Sequence, residues 1–263
     1  MKSAVLIIGA GRLGNALARR LSEAGYPVWK AGRASRLKQP RAGIVWFCVP
    51  DAEISSVATA YARFKWRGKY AFHSSGVLTS NALAPLQESG AAVASVHPLM
   101  TFVKGATPDL RGVTFAIEGD RRAVAAARRI AGNLGARAVE IAKKNKTAYH
   151  AFATLICPLL VSLLATSEKT AALAGISQAE ACRRMMPILL QTVRNYERSG
   201  AAKAFSGPIV RGDADTIRAH LLALKSAPAA RKAYVALAQA AVEFLPNQNR
   251  EAINRLLKES SRP

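Results

Sequence analysis

Three groups of residues in this chain could do chemistry, and each follows a run of apolar residues. Gly9, Gly11 and Gly14 stand in the spacing G-x-G-x-x-G directly after Ala4-Val5-Leu6-Ile7-Ile8. His73 opens the sequence H-S-S-G and His97 opens H-P-L-M, again just past apolar stretches. Arg33, Ser35 and Arg36 follow a third stretch, with Lys38 and Arg41 beyond. Glycines in this spacing can make a tight turn, admit a pyrophosphate to the backbone and let a helix press on a strand. Arginine can grip a phosphate through two parallel hydrogen bonds. Histidine ordinarily titrates near neutral pH, which suits proton transfer.

The elements that must position these groups can be read from periodicity. Ala4–Ile8 has the continuous apolar character of a strand buried on both faces. Leu13, Leu17 and Leu21 then recur every four residues, the stripe of an amphipathic helix. Further strands are expected at Tyr26–Ala31, Ile44–Val49, Lys69–His73, Ala91–Val96, Val113–Ile117 and Ala136–Ile141. Helices are expected around Ile54–Tyr61, with Asp51 as N-cap, and at Arg121–Leu134. Gly32–Ala42, interrupted by Pro40, leaves room for a loop or one turn of helix. The expected fold is a doubly wound, mainly parallel α/β Rossmann sheet over residues 1–142. From Lys143 the strand-like runs stop, and an all-α domain is expected over 143–263. Its helices fall at 147–174 (broken by Pro158), 178–197, 216–224 (capped by Asp213), 228–245 and 248–257.

In such a sheet, ligands bind outside the carboxyl ends of the strands. Gly9, Gly11, Arg12, Leu13 and Gly14 therefore become candidates for holding a dinucleotide, with Val49 and Pro50 flanking a ribose and Ser74 near the nicotinamide. A site for NAD places an acid about 20 residues past the glycines to hold the ribose 2′-hydroxyl. No Asp or Glu occurs between Ala24 and Pro50, and Arg33, Ser35 and Arg36 stand there instead. This predicts NADP(H) in preference to NAD(H); the plainer alternative is a set of surface cations. His97, His73 and His150 are candidates for proton transfer or substrate orientation, and Arg211 for a substrate carboxylate or phosphate. Against these stand strand-end turn residues for His97 and His73, a core histidine for His150 and a structural tie for Arg211.

Composition narrows the classes further. The formal charge is +22 over 263 residues. Up to Ala142 there are 20 Lys/Arg against 8 Asp/Glu, and beyond it 18 against 8, so the excess is even. No basic tail or aromatic-interleaved basic stretch points to nucleic acid. Such a surface would still steer anions. The longest apolar run, Ala151–Ala165, is short for a bilayer and contains Pro158, so no membrane span is expected. Met1-Lys2-Ser3 leads straight into the first strand, which gives the expectation of no signal peptide and a cytoplasmic location. Cys48, Cys157 and Cys182 read as buried, reduced thiols, and no metal site is expected.

Taken in order, G-A-G-R-L-G, V-P-D (49–51), H-S-S-G, H-P-L-M-T-F (97–102), Y-H-A (149–151) and G-P-I-V-R-G-D (207–213) resemble a little-characterised bacterial family. That family pairs a Rossmann-like domain with a C-terminal helical domain of unknown function, and its members are assigned as candidate NADP oxidoreductases. The chain is more distantly similar to pyrroline-5-carboxylate reductase, deazaflavin-dependent NADP reductase and prephenate dehydrogenase. The resemblance implies hydride transfer between NADP(H) and a small, anionic substrate, and a homodimer built by the helical domain. It also singles out His97, because H-P after a strand is similar to the motif carrying the catalytic histidine of prephenate dehydrogenase. The segment after the second strand is shorter here than in the family. The rival expectation is an NADP(H)-binding sensor or regulatory dimer without turnover.

Overall fold

The structure is a computed structural model that describes residues 2–32, 35 and 38–260. Seven strands form one sheet in the order β2-β1-β3-β4-β5-β6-β7. They are β1 (Val5–Ile8), β2 (Val28–Ala31), β3 (Ile44–Phe47), β4 (Tyr70–His73), β5 (Ala92–Pro98), β6 (Thr114–Gly119) and β7 (Arg137–Glu140). β1 to β5 run parallel, β6 pairs antiparallel with β5, and β7 runs parallel to β6. The expected mainly parallel sheet is therefore present, with one reversal of direction.

Helices cover both faces of this sheet. On one face lie α1 (Arg12–Glu23) and α4 (Arg121–Asn133); on the other lie α2 (Asp51–Ala62) and the short α3 (Ala84–Glu88). β3 shows why its sequence reads Ile-Val-Trp-Phe. All four residues are buried, with Trp46 in the layer of Leu17 and Leu21 and Phe47 in the layer of Ile54 and Tyr61. A strand covered on both sides has no solvated face, so polar residues gain nothing there. α3 and the 3-10 turn Ser80–Leu83 before it were not expected; both are short, and Pro85 begins the helix. Asp51 is the first residue of α2 rather than its cap, which is Pro50. A carboxylate in this first turn still complements the helix dipole.

Chain contacts divide the protein into two compact units, 1–157 and 158–263. The division falls one helix later than position 142, because α5 (Lys146–Ile156) packs with the sheet unit. The second unit contains α6 (Pro158–Ala171), α7 (Gln178–Ala204), α8 (Ala214–Ala223), α9 (Pro228–Phe244) and α10 (Arg250–Ser260). α8 begins where Asp213 accepts hydrogen bonds from the Thr216 backbone N–H (3.1 Å) and hydroxyl (2.7 Å), the expected cap. Ile217, Leu221, Val235, Ala238, Val242, Ile253 and Leu257 form a core among α8, α9 and α10. α6 has no buried residue, and α7 buries only Ala181.

The helical stretch Lys143–Ala174 is long and apolar enough to cross a membrane by length and composition. The stretch is interrupted between α5, which ends at Ile156, and α6, which begins at Pro158, the break expected at that proline. The cysteines differ from expectation. Cys182 is exposed on α7 and Cys157 half-buried, while burial pushes the Cys48 thiol up to about 12.

Candidate functional site

The glycine loop joins β1 to α1, and its three glycines have three different surroundings. Gly9 has φ +109°, and a Cβ built there would lie 2.4 Å from the Cys48 carbonyl oxygen. A Cβ on Gly14 would lie 2.0 Å from the Gly9 oxygen. These two close the strand against the helix. At Gly11, the N-cap of α1, an added Cβ meets no atom within 4 Å. No side chain caps this helix, so its first N–H groups are left for another acceptor. Beside Gly11 is a cavity of about 450 Å³ lined by Arg12, Asn15 and the loop 103–107, which carries Lys104. Arg20 holds that loop by donating to the carbonyls of Thr107 and Pro108, both at 2.8 Å.

At the end of β2, the Ser35 hydroxyl accepts from the Gly32 N–H at 3.0 Å, closing a tight turn. Ser35, Lys38 and Arg41 line a second cleft of about 920 Å³ with Trp29 and Tyr61. Lys30 also reaches toward the glycine loop, donating at 3.2 Å to Asn15, whose amide holds the Ala10 carbonyl. Arg33 and Arg36 lie outside the described residues. Val49 is half-buried and Pro50 exposed, immediately past the carboxyl end of β3. Leu13 packs against the sheet core on the α1 side.

His73 ends β4 with both ring nitrogens engaged. Nδ1 accepts from the Ser75 N–H at 3.1 Å, so Nε2 carries the proton and donates to the Thr79 carbonyl at 3.0 Å. The ring is fully buried, and burial first, with the positive charge of Lys146 added, lowers its pKa to about 4. These two bonds make His73 a tie within the H-S-S-G turn, the strand-end turn residue that was the plainer expectation. Ser74 is likewise buried, its hydroxyl accepting from the Trp46 indole at 2.8 Å. Ser75 completes the turn by donating to Asp51 at 2.7 Å while accepting from the N–H groups of Val77 and Leu78.

His97 on β5 is different. Its Nδ1 is buried without a hydrogen-bond partner. Its ring meets Tyr149 edge-on at 6.0 Å between centroids and His150 at 5.9 Å. The Tyr149 hydroxyl is also buried and unpartnered. His150 is seated against Gly76, where any Cβ would lie 2.2 Å from its Cδ2. Burial, then Lys146, then His150 lower the pKa of His97 to about 4. In the folded chain the ring therefore holds a proton less readily than a free imidazole does. At pH 7 His97 is neutral and offers one N–H and one lone pair.

Reasoning from the sequence missed Lys146. It is buried, and its Nζ donates to the Ser95 hydroxyl at 2.6 Å and the Ser75 carbonyl at 3.0 Å. The available signal was spacing: Lys146, Tyr149 and His150 stand at i, i+3 and i+4, on one helix face. Arg211 belongs to the helical unit. It is exposed in a loop held to the start of α10, where Gln248 N–H donates to Val210 at 3.1 Å.

Comparison with known proteins bears on the fold that carries these residues. Residues 113–241 match the family described as a domain of unknown function, DUF2520. No curated protein matches the chain. Solved structures share its architecture over almost the whole length. A Bacteroides fragilis protein described as a candidate NADP oxidoreductase is 20% identical, with 91% of this chain and 97% of that one covered at a TM-score of 0.77. A Thermotoga maritima protein is 20% identical, covering 98% and 100% at 0.69. A Plasmodium falciparum pyrroline carboxylate reductase, solved with NADP bound, is 13% identical, covering 98% and 97% at 0.61. The chain therefore has a Rossmann-like fold followed by a helical region.

Proposed function

We propose that the protein is an NADP(H)-dependent oxidoreductase that moves a hydride between the nicotinamide and a small anionic substrate. The observation that carries this reading is the glycine loop. Close packing excludes a side chain at Gly9 and Gly14, while the approach to Gly11 is open at an uncapped helix start. Gly11, Arg12 and Gly14 would hold the pyrophosphate. Ser35, with Lys38 and Arg41 beside it, would face the ribose phosphate, and Arg33 and Arg36 belong to the same proposal. The fold's likeness to a reductase solved with NADP bound supports it.

NADPH, when bound, supplies the hydride. The chain's own task is to place the acceptor and move a proton. His97 and Tyr149 have buried polar atoms that no protein group satisfies, and such atoms are costly unless a ligand completes them. A substrate oxygen can accept a hydrogen bond from Tyr149; in the oxidising direction a substrate hydroxyl would give its proton to the free nitrogen of neutral His97, and in the reducing direction protonated His97 would return it. The overall positive charge would favour an anionic substrate. We include a homodimer in this reading, formed by the apolar surface of α6 and α7, where Val161 and Ile188 are exposed.

Calorimetry with each nucleotide tests the cofactor assignment. NADPH should bind at least about tenfold tighter than NADH, since one charge-assisted hydrogen bond contributes roughly 1.5–3 kcal/mol. Equal affinities, or tighter NADH, would overturn the preference, and no binding of either would overturn the function.

A further inference from the structure

Lys146 combines deep burial with a charge that, among the described residues, has no carboxylate hydrogen-bonded to it. It is 1% exposed, and both acceptors recorded for its ammonium are neutral, the Ser75 carbonyl and the Ser95 hydroxyl. The carboxylates facing it come from other elements and are engaged elsewhere. Glu118 on β6 accepts from the Ser80 N–H and hydroxyl at 2.7 and 2.8 Å, and Asp51 on α2 accepts from Ser75 at 2.7 Å. A buried ammonium is expensive, and a methionine or leucine would fill the same space more cheaply. Its place therefore calls for a use of the charge or of the bonds.

Those bonds join three parts of the sheet unit. Ser75 belongs to the turn after β4, Ser95 lies within β5 two residues before His97, and Lys146 starts the helix that delivers Tyr149 and His150. We propose that Lys146 is a positioning residue for the reaction centre, clamping the Ser75 carbonyl to the Ser95 hydroxyl so that Tyr149 and His150 meet His97 in one fixed arrangement. This rests on the reading of His97 as the proton-handling group. The clamp also fixes a positive charge close to that group. The charged and titratable groups facing His97 are Lys146 and His150 from α5, His73 from β4 and Asp51 from α2, and Lys146 is the largest electrostatic influence among them. Beside burial, which is the larger cause, it lowers the affinity of the His97 ring for a proton further.

Three variants of the full-length protein separate the two effects. Imidazole NMR gives the titration midpoint of His97, calorimetry the NADPH affinity, and stopped flow the hydride-transfer rate. Lys146→Met should raise the midpoint by about one unit, the size expected when a near charge is removed. It should also slow hydride transfer by roughly 10- to 100-fold, as misplacement of reacting groups does, with NADPH affinity within about twofold of wild type. Lys146→Arg keeps the charge and should retain the low midpoint. Ser95→Ala removes one arm of the clamp, and should slow transfer while leaving the midpoint in place. A folded Lys146→Met protein with an unchanged midpoint and rate would overturn the proposal. Equal losses of rate and NADPH affinity would also overturn it, giving Lys146 a cofactor-binding role. Should Lys146→Met fail to fold, the Arg and Ala variants decide: full activity in Ser95→Ala would remove the clamp, and a raised midpoint in Lys146→Arg would remove the charge effect. If wild type binds no NADPH, the functional reading fails separately, while the His97 midpoint still reports on Lys146.

Discussion

The sheet unit and the helical unit bury their apolar residues in opposite ways. In the sheet unit β3 is covered on both faces, and even polar groups such as His73, Ser74 and Glu118 are enclosed with hydrogen-bond partners. In the helical unit, the core of α8, α9 and α10 is small, and the apolar side chains of α6 and α7 stay largely in the open. Leu160, Val161, Ile188, Val193 and Tyr196 are all exposed. The difference teaches that the sheet is closed on both faces by its own unit, while α6 and α7, and α5 of the sheet unit at Leu155 and Ile156, leave apolar side chains that their own units do not cover.

The sharpest way to break this contrast is Gly14→Val. Its side chain would meet the Gly9 carbonyl, which is backbone and cannot yield, so we expect loss of the folded sheet unit, a cost above about 4 kcal/mol. Gly11→Ala, a few residues away, should change stability by less than about 0.5 kcal/mol, because nothing stands in its way. Chemical denaturation of both variants checks the pair; equal effects would undo the distinction between the two glycines.

Next in size comes the exposed surface of the helical unit. Ile188→Asp should weaken self-association by about 10- to 100-fold, the worth of one well-buried interface residue, while leaving the melting of the sheet unit in place. Sedimentation equilibrium without detergent measures this. A monomeric wild type would discard the dimer, and a wild type that stays in the membrane fraction would point to a bilayer against Lys143–Ala174 instead.

The smallest expected effect concerns pH. His73 and His97 bind protons less readily in the folded chain, near pKa 4, than in the unfolded chain, near 6.5. The unfolded state therefore takes up more protons between these values, and stability falls as pH drops from about 6.5 toward 4. For buried His73 the loss at pH 5 relative to pH 7 is about 1–2 kcal/mol. Thermal melts of wild type and His73→Gln across this window should differ in slope. Parallel curves would mean that His73 is protonated without penalty.

What was legible in the sequence was local. The glycine loop, the buried run of β3 and the Asp213 cap each depend on neighbours within a few positions, so spacing and residue type suffice. What was not legible depends on residues distant in the chain. His73 looks like a reactive strand-end histidine until the Ser75 N–H and Thr79 carbonyl are seen to occupy it. Lys146 looks like one more surface cation, since burial of a lysine depends on Ser75 and Ser95 being brought to it. His97 was found by position, but its low pKa comes from packing. Cys182 was expected inside, yet it is exposed on α7, where Arg183 and Arg184 follow it.

The reversal between β5 and β6 has a lasting effect on this architecture. Because Pro98 pairs with Phe115, the chain from Leu99 to Val113 leaves and rejoins the sheet at the same rim and never crosses beneath it. Its excursion brings Lys104 and Gly105 beside Gly11, with Arg20 as the mooring. Leu110 and Val113 tie the later part of that detour into the core, so it is residues 103–107, beside Gly11, that lie outside both core and ladder. A change of length there would alter what borders Gly11 while the frame beneath stays the same.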